Sequence, residues 1–187
     1  MRNIAKIVLV TLAMLPCTEK LNAQGMIVIM NQRYTCEDPR GFDENSEWTF
    51  NKGDALHVYK RDNSYDYYGP YTAACVSIPA RFCHIPGTVK GEKYIVVNGT
   101  NVRLRQGPST SSGIYCFDSD YGGSIAQEKF IVNPSKELST YGNSYSWKPF
   151  YFNKGTRLPY LGKVNGFYKT KFDGVIFYIS AKYCILK

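Results

Sequence analysis

Histidine is almost missing from this chain: His57 and His84 are the only two in 187 residues. His57 alternates with Leu56 and Val58, which points its ring to solvent from a strand. His84 follows Cys83 at the end of a unit. Pairing it with Cys75 as an activated thiol lacks the third group that orients such a nucleophile. Asp118 and Asp120 could open a metal loop, yet the further carboxylates of a calcium loop are missing. The glycines have neither the spacing nor the strand-to-helix setting of a phosphate loop. These absences leave no catalytic constellation and imply no cofactor and no metal. Helix formers are also thin, whereas Tyr (16) and Phe (10) are abundant, which favours strands.

Long apolar runs are equally scarce. Arg2 and Lys6 precede the run from Ile7 to Leu15, Pro16 breaks it, and Leu21-Asn22-Ala23 offers a small residue before a cut. That order reads as a secretory signal over residues 1–24, with a mature chain starting around Gly25 and delivered to the periplasm or the exterior. The run is too short to span a bilayer, and no second one follows, so no stable membrane insertion is expected. Pro16 stands where a lipid-anchor signal at Cys17 wants a small residue, which argues against anchoring. Removing residues 1–23 takes away Arg2, Lys6, Lys20 and Glu19, and the formal charge falls from +8 to +6. A moderate positive charge suits anionic polymers such as wall glycans or lipid head groups, and equally suits plain solubility. Export argues against nucleic acid as the natural partner.

What the chain does contain is a repeat. Phe50-Asn51-Lys52-Gly53 recurs as Phe152-Asn153-Lys154-Gly155. Leu56, Val58 and Tyr59 then correspond to Leu158, Tyr160 and Leu161. The turn Asp62-Asn63-Ser64 with Tyr65 corresponds to Val164-Asn165-Gly166 with Phe167. Both copies close alike, on Ile78 to Cys83 and on Ile179 to Cys184. The chain therefore reads as a duplicated small β unit. The expected division is a first unit over 25–86, a linker over 87–91, and a second unit over 92–187 with a long insert at 113–147. In the second unit Asn98-Gly99 signals a hairpin after Tyr94–Val97, and Val102 and Leu104 alternate inward against Arg103 and Arg105. Turns at Asn165-Gly166 and Asp173-Gly174 predict a three-stranded meander over 157–162, 167–171 and 175–180.

Five cysteines follow the leader: Cys36, Cys75, Cys83, Cys116 and Cys184. Export permits disulfides. In a small barrel the last strand lies near the first, which makes Cys36–Cys83 and Cys116–Cys184 the natural pairs and leaves Cys75 over. The alternative is that all five are small buried apolar residues.

The stretch Asn101-Val102-Arg103-Leu104-Arg105-Gln106-Gly107-Pro108-Ser109 resembles the opening motif of bacterial SH3-like domains, Asn-Val-Arg followed by Gly-Pro-Ser. Lys154 to Gly162 and Asn165-Gly166-Phe167-Tyr168-Lys169 are similar to that family's second block. Tyr178-Ile179-Ser180 and Tyr183 are similar to its close. Phe167 and Tyr178 replace the family's usual tryptophans. The first unit lacks the Gly-Pro-Ser turn and joins the family only through its kinship to the second. The resemblance implies an all-β chain of two small, partly open SH3-like barrels in tandem, working as binding modules beside wall-degrading enzymes.

Recognition then falls to aromatic side chains, which give large contact area with few torsions to freeze. The candidate ligand residues are Trp48, Tyr65, Tyr67, Tyr115, Tyr145, Trp147, Phe167 and Tyr178. The competing reading is that many of them fill the two cores. Tyr67 and Tyr68 are adjacent on a strand, so only one can be core. The expected function is an exported, non-catalytic binding module for peptidoglycan or another envelope component. The alternative is a protein–protein module that partners or inhibits a secreted hydrolase. The insert at 113–147 is expected to shape the ligand site of the second unit.

Overall fold

The computed structural model describes residues 25–37, 47–68, 75–118, 128–132 and 147–187, and these are all-β. The first copy contains β1 (Met26–Met30), β2 (Tyr34–Glu37), β3 (Glu47–Phe50), β4 (Ala55–Arg61), β5 (Ser64–Tyr68), β6 (Cys75–Pro79) and β7 (Cys83–His84). The second contains β8 (Tyr94–Val97), β9 (Val102–Arg103), β10 (Ile114–Asp118), β11 (Glu128–Ile131), β12 (Trp147–Pro149), β13 (Tyr151–Phe152), β14 (Arg157–Pro159), β15 (Gly162–Val164), β16 (Phe167–Phe172), β17 (Val175–Ser180) and β18 (Cys184–Leu186). A single 3-10 turn precedes the last strand in each copy, at Ala80–Phe82 and Ala181–Tyr183. The strands form several small sheets, and among the described residues none closes into a barrel.

The repeat in the sequence is a repeat in hydrogen bonding. Met30 N–H donates to the Asp54 carbonyl at 2.8 Å, as Val97 N–H does to Thr156 at 2.9 Å. Gly53 N–H donates to Met30 at 2.9 Å, as Gly155 does to Val97 at 2.7 Å. Asn31 N–H reaches the Phe82 carbonyl at 2.7 Å, and Asn98 reaches Tyr183 at 2.8 Å. Ala80 N–H reaches Asn63, and Ala181 reaches Gly166, both at 2.9 Å. Phe50 and Phe152, which open the repeated tetrapeptide, are both buried. Gly53 and Gly155 sit at φ +89° and +95° with open space where a Cβ would be. Backbone conformation, not crowding, therefore selects glycine at both places.

The last two strands of the predicted meander form as β16 and β17, but its first does not form as expected. Arg157–Pro159 (β14) pairs with β8, and Gly162–Val164 (β15) lies beside β16 in its place. The turns of the meander, Asn165-Gly166 and Asp173-Gly174, have both central residues at positive φ. That backbone twist matches the flanking strands, as in type I′ hairpins. Within the insert, β11 pairs with β10. The hairpin expected at Asn98-Gly99 does not form. β8 pairs with β14 and β18, and β9 pairs with β13. The N–H groups of Asn98 and Gly99 both turn to the Tyr183 carbonyl, which the closing 3-10 turn presents to them. Val102 and Leu104 do point inward as expected, and Arg103 is exposed.

Two main apolar clusters hold the molecule, and they interlock. Along β1, Val28 and Met30 enter the first copy's cluster with Leu56, Val58 and Ile78. Ile27, the residue before Val28, faces the other way and joins the second copy's cluster with Phe152, Phe172, Phe177 and Ile179. The first copy's sheet is thus covered on both faces, and burying an aliphatic side chain contributes about 1.5–3 kcal/mol. A small third cluster consists of Ile114, Cys116 and Ile131.

Neither expected disulfide is present, because Cys83 and Cys184 carry free thiols. Strand topology keeps the expected partners apart. Cys36 lies on β2, which pairs with β3 and not with the β1–β7 edge where Cys83 sits. Cys116 belongs to the third cluster and Cys184 to the second copy's core. The Cys83 Sγ instead meets the Met30 Sδ at 3.5 Å. Burial pushes the Cys83 thiol up to about 11 and the Cys184 thiol up to about 12, so both remain protonated and behave as apolar residues.

Candidate ligand-binding groove

The two copies meet along a groove of about 330 Å³. Phe50, Leu56 and Tyr67 of the first copy make its apolar floor, and Pro159 and Leu161 of the second make a wall. Asp54, Lys171 and Asp173 supply charge at its margins. The edge of β4 explains why the copies dock here. β5 pairs with β4 only from Val58 onward, so the preceding edge of β4 has backbone groups to offer. The β16–β17 turn takes them: His57 N–H donates to Asp173 Oδ1 at 3.0 Å, and Asp173 N–H donates to the Ala55 carbonyl at 2.8 Å. Asp54 is fixed locally, its Oδ2 accepting from Asn51 N–H at 2.7 Å.

Next to the groove, His57 contradicts its expected solvent orientation. Its ring centroid lies 5.4 Å from Tyr59, 5.3 Å from Phe150, and 6.3 Å from both Phe152 and Phe172. Gly25 lies so close that any Cβ there would run into the imidazole. This desolvation pushes His57 down from 6.5 to about 4, so the ring is neutral at ordinary pH. Leu56 and Val58 do face inward, as their alternation predicts. His57 does not reach solvent because the opposite face of β4 is covered by the second copy.

His84 has a structural place. Nδ1 lies 2.6 Å from Asn31 Oδ1, and Nε2 lies 3.2 Å from Glu92 Oε1. Glu92 also accepts from Gly87 N–H at 2.6 Å, which ties the connection between the copies to the end of the first. Among the described residues no group of three or more His, Cys, Asp or Glu could hold a metal ion.

The predicted aromatic set is scattered. Tyr65 is buried in the first core. Tyr67 is buried too, but it also lines the groove, packed against Phe50 at 5.2 Å and Trp48 at 6.0 Å. Its neighbour Tyr68 turns to the other face, against Tyr59 at 5.6 Å. Trp48 is half-buried at the edge of that aromatic group. Tyr115 lies in the second core, 4.9 Å from Phe177 and 5.3 Å from Phe130, and is no surface residue. Phe167 and Tyr178 share the outward face of β15–β16–β17. Trp147 opens β12 opposite Asp118, and Tyr145 lies outside the described residues, as does most of the insert that was expected to shape the site. Lys171, Asp173, Asp54 and Leu161 were not picked out from the sequence. From the sequence, Tyr67 as a candidate ligand residue and the Asp173-Gly174 turn signal pointed to the groove.

Compared with protein-family models, curated proteins and solved structures, the chain matches none. Among the described residues no helix is long and apolar enough to cross a membrane.

Proposed function

We propose that the chain is an exported, non-catalytic binding module of two SH3-like copies that recognises peptidoglycan or a wall-associated partner through the groove at their junction. The observation that carries this reading is the groove itself. It joins an aromatic floor from one copy to an apolar wall and charged margin from the other, a combination that suits an extended ligand of sugars and peptide. The wall ligand comes from the motifs at Asn101 to Ser109 and Asn165 to Lys169, and the exported setting from the leader-like first residues. Leu161 is the natural probe, because it is 51% exposed on the groove wall and can be changed without opening the core.

The purified mature chain is expected to sediment with insoluble peptidoglycan, and Leu161→Glu to reduce retention roughly tenfold, equivalent to about 1.4 kcal/mol. Circular dichroism should show the variant still folded. A mature chain that stays in the supernatant but captures a stable envelope-protein partner would replace the glycan with a protein. Equal retention of the folded variant would remove the groove from the reading.

A further inference from the structure

The two copies do not share the chain's charge. Residues 147–187 hold eight Lys or Arg and one acid, Asp173, a net +7 of the chain's +8. Residues 25–91 hold seven basic and eight acidic residues, a net −1. Two versions of one repeat thus differ in electrostatic sign. The single acid of the basic segment already accepts the His57 N–H.

Strand register gathers part of this charge on one face. Lys169 of β16 stands opposite Tyr178 of β17, and a further bridge sets Tyr178 opposite Arg105. Directly opposed residues project from the same face, so a Lys–Tyr–Arg row crosses β16, β17 and the bridged segment beside them. Adjacent strands lie about 4.8 Å apart. Lys171 is two residues along β16 on the same face, with Val164 and Ile176 beside the row at 45% and 42% exposure. Tyr168 and Phe172 point the opposite way, into the core, which makes the row the outward side. Arg105 is fixed at the end of the row, its Nη1 donating to the carbonyls of Thr110 at 2.7 Å and Ser112 at 2.9 Å.

We propose that this outward face of the second copy is a docking surface for an anionic polysaccharide. The inference rests on the binding-module reading for its exported setting, but it assigns a second face, which adjoins the groove at Lys171, and a ligand chemistry. Repeating carboxylates meet Lys169, Lys171 and Arg105, while the apolar side of a sugar ring lies over Val164 and Ile176. A nucleic acid fits the same charge less well. Base-stacking platforms present an open aromatic face, whereas here Phe167 is only 8% exposed and Tyr178 is half-buried.

The test is binding of the mature chain to alginate, with neutral dextran as control. Alginate is expected to bind, dextran not, and the affinity to fall as added salt shortens the screening length to well under 10 Å. Lys169→Glu should weaken alginate binding roughly tenfold. The same charge reversal at Lys60→Glu, exposed on the first copy, should change it less than about twofold. Equal effects of the two reversals would mean diffuse attraction by net charge and overturn the face. Tighter binding of a single-stranded oligonucleotide, equally sensitive to Lys169→Glu, would overturn the occupant. A chain that is retained by peptidoglycan through Leu161 yet ignores alginate refutes this inference alone. A chain that binds alginate through Lys169 yet ignores peptidoglycan refutes only the groove reading.

Discussion

His57 is the residue whose environment has the clearest measurable consequence. Its pKa is about 4 in the folded chain and 6.5 for an ordinary histidine, because burial among four rings disfavours the imidazolium. Between those values the unfolded chain binds more protons than the folded one, so folding stability falls as pH falls from about 6.5 to about 4. Above 6.5 the group has no effect, and below 4 the loss is complete, at roughly 3 kcal/mol. Urea unfolding at pH 7 and pH 4.5 should therefore show a drop that largely disappears in His57→Leu. An unchanged pH dependence in that variant would mean that the ring is protonated freely and that the interface opens around it. A single sequence offers no sign of this environment. Leu56-His57-Val58 looks the same whether the second face of the strand meets water or another copy.

At the scale of elements, the sequence was most legible where backbone conformation restricts residue choice. The repeated Phe-Asn-Lys-Gly marked the same left-handed glycine and the same hydrogen bonds in both copies. Asn165-Gly166 and Asp173-Gly174 marked two hairpins that form as read. Asn98-Gly99 carried an identical signal and misled, since a carbonyl from the distant Ala181–Tyr183 turn captures its N–H groups. Local turn chemistry cannot report a competitor more than eighty residues away. The equivalence of Gly53 and Gly155 can be tested directly. Each replaced by Ala should lower stability by about 1–2 kcal/mol, the penalty for placing a Cβ in the left-handed region. The two effects should be similar and should add in the double variant, because the sites share no partners. Strongly unequal losses in urea titrations would show that the copies no longer use the loop in the same way.

At the scale of the whole molecule, the question is whether two similar copies make two independent folds. The candidate site depends on the answer, because the groove exists only where Tyr67 and Phe50 meet Leu161 and Lys171. It was illegible in the sequence for the same reason as His57: each strand of the first copy shows a sound inner face, and nothing local marks its outer face as covered. Ile27 provides the test. It lies on the first strand of one copy, is 1% exposed, and is buried in the core of the other. Truncating such a residue leaves a cavity and typically costs about 2–5 kcal/mol for Ile→Ala. If the cores are coupled, Ile27→Ala shifts the unfolding of both copies together. Far-UV circular dichroism and tryptophan fluorescence should then trace one coincident transition, moved to lower urea with its slope unchanged. Two separated transitions, with only one displaced by the substitution, would show that the copies fold alone. The groove would then be a contact they can leave, and ligand binding at the junction would have to hold them together.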